Sequence, residues 1–533
     1  MKNHCVFFYG NLTINLSMED GSMVVKILLL LIFFAVTITV GLIARRRVSS
    51  VNDFVLGGRG IGAWLSAFSY GTSYFSAVVF VGYAGQFGWS YGVAAVWIGL
   101  GNAFIGSLMA WAILGERTRS MTKYLDTSTM PEFFEKRYSS KAIKLVASLI
   151  VFVFLIPYSA SVYKGLSGIF TAAFNIDFVY CVIGMAVLTA IYVVLGGYVA
   201  SSINDFIQGI IMLFGIVAVV VSVLNGKGGF AESLTLLSKQ EVVGGSSAGM
   251  QGGYVSFFGP EPAGLLGVVI LTSLGPWGLP HMIHKFYSIK DGKAIRKGTI
   301  ISTLFALIIA GGSYFMGAFG RLYVNSDANG LPEIGSDNIV PTMLSSVLPD
   351  ILIGIIVVLI LSASMSTLSS LVISSSSTFT IDFVKGFLFK KIDGKKQMLI
   401  IRIMSAFFIL ISVIIALFSS ELISGLMSIS WGALAGAFLA PFLYGLFWKG
   451  VTKIGVWAGF VTGISITVIN IFTKTFIAPT AGAIAMLVSL VVVPLVSLIT
   501  PKLDKEYVNK CFACFEEKKE KTESEYVEQI SVV

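Results

Sequence analysis

Charge is scarce in this chain. Of 533 residues only 12% are Asp, Glu, Lys or Arg, 56% are hydrophobic, and the mean hydropathy is +0.87. A soluble domain uses about twice that charged fraction to cover its surface, so a water-soluble fold is excluded. Histidine is scarcer still, with three residues, and offers little support for a proton relay. His4 is terminal, and His281 and His284 read as interfacial residues at the cytoplasmic end of an apolar run. The four cysteines, Cys5, Cys181, Cys511 and Cys514, are too few and too scattered for a disulfide framework. Cys511 and Cys514 form a C-x-x-C without further ligands nearby, and they read as two tail thiols, with lipidation as the alternative. No G-x-x-x-x-G-K-[ST] phosphate loop occurs, and no polar segment is large enough for an enzymatic domain. The chain is therefore expected to be no enzyme, to use no organic cofactor, and to draw on an ion gradient for any work it performs.

What is present is a series of apolar runs, each about 20 residues long and able to cross the hydrocarbon core as a helix. The runs predict an all-α integral membrane protein with 13 transmembrane helices. These fall near 24–44, 62–84, 91–114, 142–170, 177–195, 199–223, 262–288, 298–320, 340–384, 397–418, 421–447, 454–473 and 480–499. The stretch 340–384 is too long for one crossing and is expected to open with a short interfacial helix ending before Pro349. Residues 1–22 are read as an N-terminal extracellular segment, with Met23 an equally good start; Asn11 and Asn15 there match the N-glycosylation pattern. Residues 23–500 form the transmembrane transporter domain, and 501–533 a polar, flexible cytoplasmic tail.

Basic residues orient the spans. Clusters follow span 1 (Arg45, Arg46, Arg47, Arg59), span 3 (Arg117 to Lys144), span 7 (Lys285, Lys290, Lys293, Arg296, Lys297) and span 9 (Lys385 to Arg402), with more after span 11 and in the tail. Together these place 30 of the 37 lysines and arginines on one face. The positive-inside rule makes that face cytoplasmic, so the N-terminus lies outside and the C-terminus inside a plasma membrane. The net charge of +9 is thus topology rather than a nucleic-acid patch. The largest outside segment is the Gly- and Ser-rich stretch 224–261.

Two spans are interrupted by small, hydroxyl and proline residues. Span 2 reads Ser69-Tyr70-Gly71-Thr72-Ser73-Tyr74-Phe75-Ser76, and span 7 reads Thr272-Ser273-Leu274-Gly275-Pro276-Trp277-Gly278-Leu279-Pro280. They stand five spans apart, as the opening helices of two inverted repeats would, and unwound backbone at bilayer depth is tolerated where it lines a cavity. Ordinary kinks and small-residue packing are the rival reading. Asp205 is a carboxylate well inside span 6, which marks a functional site by default; a water-reached place near the interface is the alternative. In span 9, Ala363, Ser366, Thr367 and Ser370 recur at i, i+3, i+4 and i+7 and form one stripe, flanked by Ser369. Such hydroxyls and helix carbonyls are neutral oxygen ligands for a hard cation, with small-residue packing again the rival.

At this point a resemblance emerges. Val55-Leu56-Gly57-Gly58-Arg59, Pro131-Glu132-Phe133-Phe134-Glu135-Lys136-Arg137-Tyr138, Gly196-Gly197 ahead of Asp205, and Met365-Ser366-Thr367-Leu368-Ser369 resemble the sodium:solute symporter family over roughly residues 24–500, nearest its bacterial sodium/proline branch. The resemblance implies a five-plus-five inverted-repeat core, with repeats about 62–223 and 262–447. It implies a first sodium site from the carbonyls of Thr72, Phe75 and Ala363 and the hydroxyls of Ser366 and Thr367. A second sodium site, present in some members, would use Asp205, Ser366, Ser369 and Ser370, giving two sodium ions per cycle. The proline carriers' solute residues match at Ser76, Tyr158 and Pro280. They depart at Tyr74, where those carriers have Asp, and at Thr272 and Pro276, where they have Trp and Tyr. The sugar carriers' Glu-Gln pair is replaced by Ser76-Ala77. A small amino acid or a monocarboxylate fits this pattern, its carboxylate facing half-helix amides near Ser73 to Ser76 and Trp277 closing over its apolar part. The expected function is sodium-coupled symport of a small organic solute by alternating access, with bilayer lipid, sodium and solute as partners. A proton-coupled carrier, a passive uniporter or channel, and a membrane sensor are the rivals.

Overall fold

Backbone N–H and C=O groups find no water inside a bilayer, so a chain this apolar satisfies them within helices. A computed structural model describes residues 21–45, 50–174, 176–243, 247–389 and 391–516. Among these the fold is helical throughout, apart from three isolated two-residue bridges. Residues 1–20 with Cys5 and the two glycosylation patterns, Arg46, Arg47, Lys390 and the end of the tail lie outside the described residues.

Eleven helices among the described residues are long and apolar enough to cross a membrane. That is two fewer than the thirteen expected, and each difference has a local cause. The expected span 62–84 is divided: helix Ala63–Tyr74 stops, and the second half runs from Val78 into the continuous helical stretch Val78–Tyr124, which also holds the expected span 91–114. That stretch turns at Gly92, where φ is +59° and an added Cβ would lie 2.1 Å from the Tyr254 carbonyl oxygen. The expected span 177–195 runs without a loop into its successor as one helix, Phe178–Asn225, bent at Gly197. There φ is +59° and an added Cβ would lie 2.7 Å from the Phe54 ring, so glycine alone fits the bend.

The second interrupted span consists of helix Pro262–Leu274, a tight turn over Gly275–Trp277, and helix Pro280–Ser288. Leu279 is extended and Pro280 brings no N–H, so the second half starts afresh there. As expected, the long stretch 340–384 opens with a short helix, Ile339–Val347, and restarts after Pro349 as Asp350–Thr378. This last helix is the central post. It packs against Phe178–Asn225, Lys141–Phe174 and Ala63–Tyr74 together, and nearly every residue from 356 to 378 is buried.

The basic face is closed by side chains that bind backbone rather than by loops alone. Arg59 donates to the carbonyls of Thr127 and Tyr287, at 2.6 and 3.4 Å, and Arg137 to those of Gly445 and Trp448, at 2.9 and 3.0 Å. Lys144 joins Glu135 at 2.9 Å and the buried Asp382 at 3.5 Å. The described part of the tail differs from the flexible segment expected. Residues 505–516 form a helix whose Cys511 and Phe512 are buried, with the Arg137 guanidinium 4.9 Å from the Phe512 ring. The apolar faces of Tyr507, Cys511 and Phe512, set in a charged context, hold it down. Within the Gly- and Ser-rich stretch 224–261 there is likewise a helix, Phe230–Ser238.

Candidate functional site: two oxygen clusters at a helix break

Helix Ala63–Tyr74 ends because Phe75 turns extended, with φ −111° and ψ 99°. Its amide still reaches Gly71 O, but Ser76 no longer supplies an amide to Thr72 O, and the chain restarts with Ser76 Oγ accepting from Val78 N at 3.2 Å. Thr72 O is thus a buried carbonyl in need of a partner. The stripe on Asp350–Thr378 supplies it. Ser366 Oγ lies 3.0 Å from both Thr72 O and Ala363 O, within donating distance of either. Thr367 Oγ1 lies 3.1 Å from each of the same two carbonyls and 3.4 Å from Ser73 O. Thr72, Ala363, Ser366 and Thr367 thus bring four uncharged oxygens together, all in fully buried residues. Phe75 is the break residue itself, its ring stacked on Tyr74 at 4.3 Å.

A second cluster adjoins the first. Asp205 is fully buried, so it is no interfacial residue reached by water from the side. Its Oδ2 accepts from Ser69 Oγ at 2.5 Å, while Oδ1 has no hydrogen-bond partner of ordinary geometry. Ser370 Oγ lies 2.8 Å from Ser73 Oγ, and Ser369 Oγ lies 2.8 Å from Ser201 Oγ and donates to Ser366 O. Ser369 therefore ties the second cluster to the first.

The sequence reading missed a member of this cluster. Lys285, counted above with the cytoplasmic basic residues, is only 2% exposed. Its Nζ lies 2.8 Å from both Ser69 Oγ and Ser370 Oγ and 5.1 Å from the centre of the Tyr198 ring. His281 and His284, read as interfacial, are buried with it on helix Pro280–Ser288. The reason is packing: this half-helix is buried along its whole length, so its charged residue turns inward. One signal was available. Lys285 is followed by Phe286 and Tyr287, and it falls inside the expected span 262–288 rather than after it.

The expected solute residues divide into two groups. Tyr74 links the two broken helices, its hydroxyl donating to Thr272 O. Thr272 contributes that carbonyl, but its own hydroxyl turns back to Val268 O at 2.8 Å and does not face the centre. Trp277 anchors the turn, donating from Nε1 to Ile105 O at 3.0 Å. Ser73 is absorbed into the oxygen clusters, and Ser76 and Pro280 start the two second halves. Tyr158 differs. Its hydroxyl is buried without a hydrogen-bond partner of ordinary geometry, and its ring stands 5.6 Å from His281 and 5.8 Å from Trp431. Trp431 Nε1, both His281 nitrogens and Ser273 Oγ are also buried and unpartnered. Tyr158, His281 and Trp431 thus form one buried group carrying unpartnered polar atoms, a candidate place for a polar ligand. Trp431 carried no signal in the sequence, being one more apolar residue in an apolar span.

Comparisons with known proteins bear on the family and the fold. The family model described as "Sodium:solute symporter family" matches residues 54–463. A sodium/proline symporter of Salmonella typhimurium is 28% identical over 442 residues, covering 81% of this chain and 84% of its own. The osmoregulated proline transporter OpuE of Bacillus subtilis is 26% identical over 494 residues, covering 91% and 96%. Among solved structures, a Na+-coupled sialic acid symporter in a substrate-bound outward-open state aligns with TM-score 0.71 at 16% identity, covering 90% of this chain and 98% of that one. A nucleobase-cation-symport-1 family transporter aligns with TM-score 0.53 at 13% identity, covering 86% and 97%. At these identities the structural matches speak for the fold alone.

Proposed function

Since the chain belongs to the sodium:solute symporter family, we propose that it carries a small organic solute, a proline-like amino acid foremost, into the cell together with sodium by alternating access. The observation that carries this reading is the convergence of Thr72 O, Ala363 O, Ser366 Oγ and Thr367 Oγ1 at the helix break. Neutral oxygens suit a monovalent hard cation that must be bound and then released. Sodium there joins the first broken helix to the central post. It thereby shapes the neighbouring group of Tyr158, Trp431 and His281, which lies beside Tyr74. Sodium and solute then raise each other's affinity reciprocally.

The two broken helices stand as the opening helices of two inverted repeats, about 62–223 and 262–447, in a plasma-membrane protein with the N-terminus outside and the C-terminus inside. A monocarboxylate is the second reading of the solute. It is favoured by the departures at Tyr74, Thr272 and Pro276 from the proline carriers' pattern, whereas the carboxylate common to both solutes needs no change. The test is uptake in a transport-deficient host against labelled amino acids, monocarboxylates, sugars and vitamins, with sodium or choline. Saturable uptake of an amino acid that collapses in choline is the expected result. Uptake indifferent to sodium would overturn the reading in favour of a uniporter or a proton-coupled carrier.

A further inference from the structure

The cluster around Asp205 already holds a cation. We infer that the Lys285 ammonium is a built-in replacement for a second transported sodium, so that one sodium accompanies each solute. This rests on the sodium-coupled reading above and narrows it.

Geometry is the first support. Lys285 Nζ points two of its three N–H donors at Ser69 Oγ and Ser370 Oγ, each at 2.8 Å. Ser69 passes the interaction on, donating to Asp205 Oδ2 at 2.5 Å. Ser370 also meets Ser73 Oγ at 2.8 Å. Two of the oxygens a sodium would take beside Asp205, the carboxylate Oδ2 and Ser370 Oγ, are thus engaged by the ammonium directly or through one hydroxyl. The flanking ring of Tyr198 adds a face that favours a cation at the same spot.

Charge is the second. The Asp205 carboxylate and the Lys285 ammonium balance, and both side chains are buried. A sodium on the free Asp205 Oδ1 would make the cluster net positive. The ammonium repels that sodium and cancels much of the attraction the carboxylate offers it, which weakens binding in a partly hydrated interior. The neighbouring cluster at Ser366 and Thr367 makes its hydrogen bonds only to carbonyls, so a sodium there displaces no charge. One helix turn thus offers a place for a mobile cation on one side and a tethered one on the other.

The experiment measures radiolabelled sodium and solute entering proteoliposomes together at zero membrane potential, alongside equilibrium sodium binding to the purified protein. The wild type is expected to take up one sodium per solute and to bind one sodium. Lys285→Ala frees the carboxylate and its serines, and is expected to bind two, with the Hill coefficient for sodium rising from about one towards two. A wild-type ratio of two overturns the inference whether or not the variant folds. A Lys285→Ala protein that binds only one sodium overturns it as well. Uptake that is unchanged in choline overturns the sodium-coupled reading itself, and is thereby told apart from failure of the inference.

Discussion

Ser366 and Thr367 on one side, and Ser369 and Ser370 on the other, come from the same buried turn of the helix Asp350–Thr378. Their surroundings differ sharply. The first pair meets only carbonyls freed by the break at Phe75 or belonging to its own helix. The second pair, through Ser201, Ser73, Ser69 and Lys285, belongs to a network containing a carboxylate and an ammonium. Hydroxyl-rich sequence is therefore an ambiguous sign of an ion site. What distinguishes a site for a transported ion from a fixed polar core is the charge that the rest of the fold delivers to it.

The contrast can be broken most severely at the neutral cluster. Ser366→Ala with Thr367→Ala removes both hydroxyls there, and sodium-stimulated uptake is expected to fall to the sodium-free background while membrane expression is retained. Unchanged sodium dependence of uptake would refute the assignment. At the charged cluster, Asp205→Asn leaves the Lys285 ammonium buried without its counter-charge, which costs about 3–5 kcal/mol. Adding Lys285→Met to it removes both charges, and most of that loss is expected to return. Thermal unfolding in detergent reads both; equal melting of the single and double variants would show that the two groups are not a pair.

Smaller effects sharpen the comparison at the solute side. Tyr74→Phe removes the bond joining the two broken helices and leaves the buried Thr272 carbonyl short of a donor, at a cost of about 1–3 kcal/mol in stability. Tyr158→Phe removes a hydroxyl with no hydrogen-bond partner of ordinary geometry, so stability is expected to hold within about 0.5 kcal/mol. The apparent KM for the solute should nevertheless rise roughly tenfold, the worth of one hydrogen bond. A Tyr158→Phe protein with unaltered KM would remove Tyr158 from the solute site.

Several features were legible in the sequence because they are local. The break at Phe75 follows from small and hydroxyl residues crowded into an apolar run, and the break at Leu279 from two prolines within five residues. The stripe follows from helical spacing. Asp205 stands out because a carboxylate in an apolar run is costly to bury. Thr272 shows the limit of such reasoning: it sits at the right place in the broken span, but its hydroxyl finds a nearer acceptor one turn back on its own helix.

The sequence by itself determined that this chain is a helical membrane protein, that two of its spans are broken, and that hydroxyls and a carboxylate lie within its apolar runs. Each of these depends on composition or on spacing within one helix. Only the tertiary structure decided that Thr72 O meets Ser366 and Thr367 nearly three hundred residues later in the chain. It alone turned Lys285 inward, onto Ser69 and Ser370, instead of outward from the fold. A lysine at a helix end can reach in either direction, and which way it goes depends on the neighbours that enclose it; the sequence lists those neighbours without placing them.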